Sequence, residues 1–156
     1  MKTFRKTERG FTLLMAALVG SLVLSLGLSI VAIARKSVTL SSIGRDSQFA
    51  FYAADTGAEC ALYWDIRHGL FATTTPPITA TCDGENLILD TPASSPFTEP
   101  YVISFQYEPN GYCTEVTVTK SADHPRTEIH ADGYSVTCAE ISGSARSLQR
   151  SVELRY

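Results

Sequence analysis

An α+β chain, with one long N-terminal helix laid on a C-terminal antiparallel β-sheet, is predicted by three observations. Phe11 to Ala34 is a run of 24 residues with no charge, Pro, Asn or Gln. From Ala34 to about Gly69 no Pro or turn cluster interrupts the chain, and small apolar residues recur at helical spacing. Beyond Leu70 the composition changes to short alternating runs separated by Pro, Gly, Asn and Asp. Helix first and strands after is an α+β order. The 156 residues leave room for one globular domain beside the helix. Hydrophobic residues make up 44% and charged residues 19%, which excludes a disordered or collagen-like chain.

The apolar run, as a helix, is about 36 Å long and spans a hydrocarbon layer of about 30 Å with some tilt. Its polar members, Thr12, Ser21, Ser25 and Ser29, carry hydroxyls that bond back to helical carbonyls. Ahead of it Lys2, Arg5, Lys6 and Arg9 against Glu8 leave a local charge of +3, which favours a cytoplasmic N-terminus and an external C-terminal part. Arg35 and Lys36 on the far side oppose that bias, although both snorkel to an interface. A plain anchor, or a secretory peptide cut after Ala32-Ile33-Ala34, are the competing readings of this run. Signal-peptide cores, however, are only about 7–15 residues long.

The helix continues through an amphipathic stripe of Val38, Ile43, Ala50, Ala54, Ala58, Ala61 and Leu62 to about His68. Small members let a sheet approach the helix backbone. The Thr73–Pro77 run ends the helix, and Pro92, Pro96 and Pro100 mark a surface loop over Thr91–Pro100. Strands are expected at Ile78–Cys82, Leu87–Leu89, Tyr101–Tyr107, Cys113–Lys120, Thr127–Ala131, Tyr134–Cys138 and Leu148–Tyr156. In the last, Leu148, Val152, Leu154 and Tyr156 point inward. Asn110-Gly111 between alternating runs predicts a hairpin.

Cys60, Cys82, Cys113 and Cys138 form no C-x-x-C motif, and no pair of His completes a metal set. Outside a membrane, disulfides are the natural reading. Of three connectivities, Cys60–Cys82 would tie the helix end to the following strand, and Cys113–Cys138 would staple the sheet. No catalytic site, metal site or cofactor is expected. His68, His124 and His130 are isolated, and Ser121, Asp123 and His124 lack a nucleophile-turn context. Asp83, Glu85 and Asp90 lack the spacing of a Ca²⁺ loop. Residues 37–156 hold seven Lys+Arg against 15 Asp+Glu, a balance of −8, which disfavours direct contact with nucleic acid. Arg146, Arg150 and Arg155 line the last strand or meet an acidic neighbour.

Arg9-Gly10-Phe11-Thr12-Leu13-Leu14, a short basic leader ending in Gly before a long apolar run, resembles the processing site of type IV prepilins and type II secretion pseudopilins. The resemblance implies cleavage between Gly10 and Phe11 by a prepilin peptidase on the cytoplasmic side, N-methylation of Phe11, and a membrane helix kept in the mature subunit. It divides the chain into a leader (1–10), a transmembrane and filament-core helix (11–34), an amphipathic continuation (35–69) and a disulfide-bonded sheet domain (70–156). Other pilin or pseudopilin subunits, the peptidase, an inner-membrane assembly platform and its motor ATPase are the implied partners. The implied location is a single pass through the inner membrane with the C-terminal domain outside, and a periplasmic or extracellular filament after assembly. Major pilins of the family carry Glu at the fifth mature position, where this chain has Met15. That departure points to a minor subunit, as does the Ala-rich Ala50–Trp64 segment, which looks like minor pilins. The alternative is a membrane-anchored binding or adhesin module that never assembles.

Overall fold

The computed structural model describes residues 8–73, 79–93 and 96–156, with side chains from Gly10 onward. The expectations for Lys2, Arg5 and Lys6, for residues 74–77 and for Ile78 lie outside the described residues. The chain is α+β: one helix, α1 (Glu8–His68), packs through its C-terminal part on an antiparallel sheet. Two compact units meet at Ile43 and Gly44, so α1 contributes to both.

In the second unit α1 ends at His68, ahead of the Thr/Pro run. Gly69 takes φ 60°, and its amide donates to the Asp65 carbonyl, which caps the helix. A two-stranded ribbon follows, β1 (Thr81–Cys82) and β2 (Glu85–Asn86), closed by Asp83-Gly84 at φ 50° and 82°. Positive φ at both turn residues is what a two-residue hairpin turn requires. Leu87–Leu89, expected as a strand, is not one. Leu87 is buried, Ile88 is 86% exposed, and the segment reaches the sheet through a bridge between Asp90 and Ser104.

The main sheet has the order β3 (Tyr101–Tyr107), β4 (Thr114–Lys120), β5 (Thr127–Tyr134) and β6 (Gln149–Arg155), each antiparallel to the next. The β3–β4 register runs from Tyr101↔Lys120 to Tyr107↔Thr114. Asn110-Gly111 does join these two strands, with φ 55° and 79°, but within a longer loop carrying the turn Pro109–Gly111. Cys113 leaves the β3 ladder: its amide and carbonyl bond to Val136 and Tyr134. Thr127–Ala131 and Tyr134–Cys138, expected as two strands, are replaced by the single β5, which passes through Asp132-Gly133, and Cys138 opens the turn Cys138–Glu140.

Gly133 explains the unbroken strand. A Cβ at this position would run into the Ala50 carbonyl oxygen and the Ala54 amide nitrogen, so glycine marks where the helix backbone touches the sheet. Gly57 does the same from the helix side, facing Thr114 and Val116. Around these contacts Ala50, Ala53, Ala54, Ala58 and Ala61 are buried, whereas Val38 and Ile43, expected on the same stripe, are exposed. The larger core side chains come from the sheet face and the helix exit: Tyr101, Ile103, Phe105, Tyr107, Val116, Val118, Ile129, Leu70 and Phe71. Each such fully buried side chain contributes about 1.5–3 kcal/mol of transfer free energy. Val152 and Leu154 pack on this core from β6, while the Tyr156 ring is 38% exposed.

Both disulfides have the favoured connectivity. Cys60–Cys82 joins α1 to β1 with Cα atoms 6.1 Å apart, and Cys113–Cys138 closes the loop beside β4 at 4.7 Å. Sequence separations of 22 and 25 residues put each near 3 kcal/mol by loop-closure entropy.

Candidate functional site

The part of α1 that the fold leaves uncovered is the candidate site. Leucine, valine and isoleucine side chains ring it on every side, because the run Phe11–Ala34 is apolar at all helical angles rather than along one stripe. Phe11 is 67% exposed and Leu13 73%, and the most apolar 18-residue window is 0% buried. The helix from Gly10 is long and apolar enough to be a single membrane span. Its hydroxyls are already satisfied within it: Ser21 donates to the Leu18 carbonyl, Ser25 to Leu22 and Ser29 to Ser25, each at 2.9 Å. Internal satisfaction of polar groups is the condition that a hydrocarbon environment sets. Gly10 and Phe11, the predicted cleavage junction, both lie within the helix and are exposed, with nothing within 4 Å of a Cβ placed at Gly10. Met15, at the position where a carboxylate was expected in major subunits, is half exposed.

The sheet unit carries its charges in small closed networks. Asp65, one turn from the end of α1, receives two bonds from the Lys120 ammonium at 2.8 and 2.6 Å and one from the Tyr156 hydroxyl at 2.6 Å. Lys120 also donates to Thr127 at 2.8 Å, so helix end, β4, β5 and Tyr156 share one ion pair whose side chains are 8% and 16% exposed. Burial, with Asp65 beside it, pushes the Tyr156 hydroxyl well above the usual phenol range. Trp64 donates to the Thr81 carbonyl at 3.0 Å and Tyr101 to the Phe71 carbonyl at 2.8 Å, which fixes the helix exit.

On the outer sheet face His130 lies between Asp132 at 3.3 Å and Glu153 at 3.8 Å, Ser151 bonds Asp132, and Arg155 pairs with Glu128 and Glu153. Burial raises the Asp132 carboxyl, but bonds from Ser151 and Gln149 and the neighbouring His130 outweigh it and hold the group below its ordinary value. Of the three arginines singled out in sequence, Arg155 is thus paired within the sheet, Arg150 donates to Ser47 at 2.9 Å, and Arg146 is exposed. Ser121, Asp123 and His124 stay in the turn between β4 and β5, with Asp123 and His124 exposed; His68 packs on Tyr63 and Trp64. Asp83, Glu85 and Asp90 are exposed, and Glu85 accepts from the Glu108 amide at 3.3 Å. Among the described residues no group of three or more His, Cys, Asp or Glu side chains gathers to hold a metal ion.

Two organising residues escaped the sequence reading. Asp65 was not singled out, and nothing in its sequence neighbourhood marks it, since its partners come from 55 and 91 residues away. Gly133 was legible in principle, as a lone glycine inside an alternating run. Comparison with known protein families, with characterised proteins and with solved structures gives no match.

Proposed function

We propose that this chain is a minor pilin or pseudopilin, a non-catalytic structural subunit built through its N-terminal helix into a type IV pilus or type II secretion-like filament. The observation that carries the reading is a single helix running from Gly10 to His68 whose apolar N-terminal stretch is uncovered while the sheet unit closes a core of its own. A compact domain has no use for such an extension, whereas a fibre core packed from parallel helices does. Close packing of small residues, Ala16 with Gly20 and Ser21 with Ser25 and Ser29, suits helix association in lipid. The RGFTLL junction adds the processing step, cleavage after Gly10 and methylation of Phe11. Met15 removes the carboxylate that would neutralise a neighbour's N-terminal amine in lipid, which favours a minor subunit over a repeating one. The basic leader puts the N-terminus in the cytoplasm, the apolar helix in the inner membrane and the acidic sheet unit outside.

The test is the N-terminus of the membrane form purified from cells that carry a prepilin peptidase. A chain beginning at N-methylated Phe11, and a Gly10→Val chain left uncut and absent from sheared filaments, are the expected results. An intact Met1, or unchanged processing of Gly10→Val, overturns the reading in favour of an anchored module that does not assemble.

A further inference from the structure

We infer that Arg35 and Lys36 form a binding site for anionic phospholipid headgroups at the C-terminal end of the membrane helix. The inference rests on the membrane reading of Phe11–Ala34. The two bases follow directly on the apolar run, at the depth where about 36 Å of helix emerges from about 30 Å of hydrocarbon. Both are exposed. Among the described residues neither has a carboxylate partner, and the sequence contains no acid between Glu8 and Asp46. Their neighbour Thr39 donates its hydroxyl to the Arg35 carbonyl at 3.1 Å, a bond within the helix.

The chemistry selects a phosphodiester that carries net charge. A planar guanidinium matches two phosphate oxygens, and the adjacent ammonium supplies a compact second cation. A zwitterionic headgroup brings its own cation and cancels the attraction. The −8 of residues 37–156 is itself repelled by an anionic surface, so it opposes the preference and leaves the pair to supply it. With the basic leader at the opposite end of the apolar run, attraction on this side comes from this pair. Each cation near a leaflet surface is worth about fivefold in binding, and the pair about 25-fold.

The full-length chain with the leader neutralised (K2Q/R5Q/K6Q/R9Q), held in a non-ionic detergent, is titrated with phosphatidylglycerol and with phosphatidylcholine, and bound lipid is counted by native mass spectrometry. The expected preference for phosphatidylglycerol is about 25-fold at low salt. Adding R35Q/K36Q brings the two lipids level, and the swap R35K/K36R retains most of the preference. Equal binding of the two lipids, a preference that survives R35Q/K36Q, or one indifferent to 0.5 M salt overturns the inference. The outcome is independent of the N-terminal assignment: a methylated Phe11 without lipid preference removes this site and leaves the filament reading, and the reverse result does the opposite.

Discussion

The two stretches of α1 solve opposite problems with the same backbone geometry. From Gly10 to Ile43 the helix bonds the hydroxyls of Ser21, Ser25 and Ser29 to its own carbonyls and leaves leucine, valine and isoleucine side chains exposed. From Ala50 to Ala61 the contact face is nearly all alanine and is fully covered. The first stretch has the most apolar surface and buries none of it in its own chain; the second has little apolar surface and buries nearly all of what faces the sheet. Hydrophobicity along a helix therefore does not report how well that helix is packed. What marks the packed face is small size, since it lets the sheet come down onto the helix backbone at Gly57 and Gly133.

The largest effect that can break this contrast is expected at Gly133. Gly133→Leu forces a side chain into the Ala50 carbonyl and the Ala54 amide, atoms that cannot move without unwinding the helix. The cost is about 3 kcal/mol or more, at the upper end of overpacking. Gly20→Leu, with nothing within 4 Å of its Cβ, leaves the sheet unit unchanged. Urea unfolding followed by the fluorescence of Trp64, the only tryptophan and part of the helix exit, reads both. Equal midpoints for the two variants would mean that the close approach at Gly133 carries no weight.

How far the fold was legible follows from the range of the interactions involved. The C-terminal limit of the helix, the β3 run and the inward face of β4 are local patterns, and they stand as read, whereas the helix begins at Glu8, ahead of Phe11. Turn chemistry was legible in part. Asn110-Gly111 joins the antiparallel pair β3 and β4 as read, though within a longer loop, while Asp83, read only as part of an acidic group, closes the tight two-residue turn with Gly84. A strand written as two, Thr127–Ala131 and Tyr134–Cys138, is one because a glycine that weakens a strand locally is favoured where another backbone must touch it. The Asp65–Lys120–Tyr156 group had no local signature at all. The candidate site divides the same way: the apolar run and its junction are sequence features, whereas the face on which Val38 and Ile43 sit depended on where the sheet stops.

A smaller effect sharpens the comparison through pH. Burial, with Glu115 and Asp132 nearby and a bond to Glu115, pushes the Tyr134 hydroxyl up to about 12, and Tyr101, Tyr107 and Tyr156 are raised as well. The folded state thus favours the neutral phenols. Their contribution to stability is complete below the unfolded value near 10 and is lost as pH climbs through the folded values. The sheet unit is expected to lose stability between pH 10 and 12, and Tyr134→Phe to flatten part of that loss. No tyrosine precedes Tyr52, so the circular dichroism of the apolar stretch in detergent stays constant over the same range. Parallel alkaline loss of both signals would show that the two stretches unfold together.

The smallest expected effect locates the change of regime along α1. Val38 and Ile43 continue the spacing of the buried alanines in sequence, yet they are 71% and 47% exposed, and the first fully buried member of the stripe is Ala50. If burial rather than periodicity sets the energetics, Val38→Ala and Ile43→Ala each shift the unfolding free energy of the sheet unit by less than about 0.5 kcal/mol, the usual range for exposed positions. Truncating a buried apolar side chain of that size costs about 1 kcal/mol or more. A shift of that larger size at Val38 would extend the packed stretch of the helix by more than two turns toward the apolar run. It would also move the surface left for a neighbouring helix by the same distance.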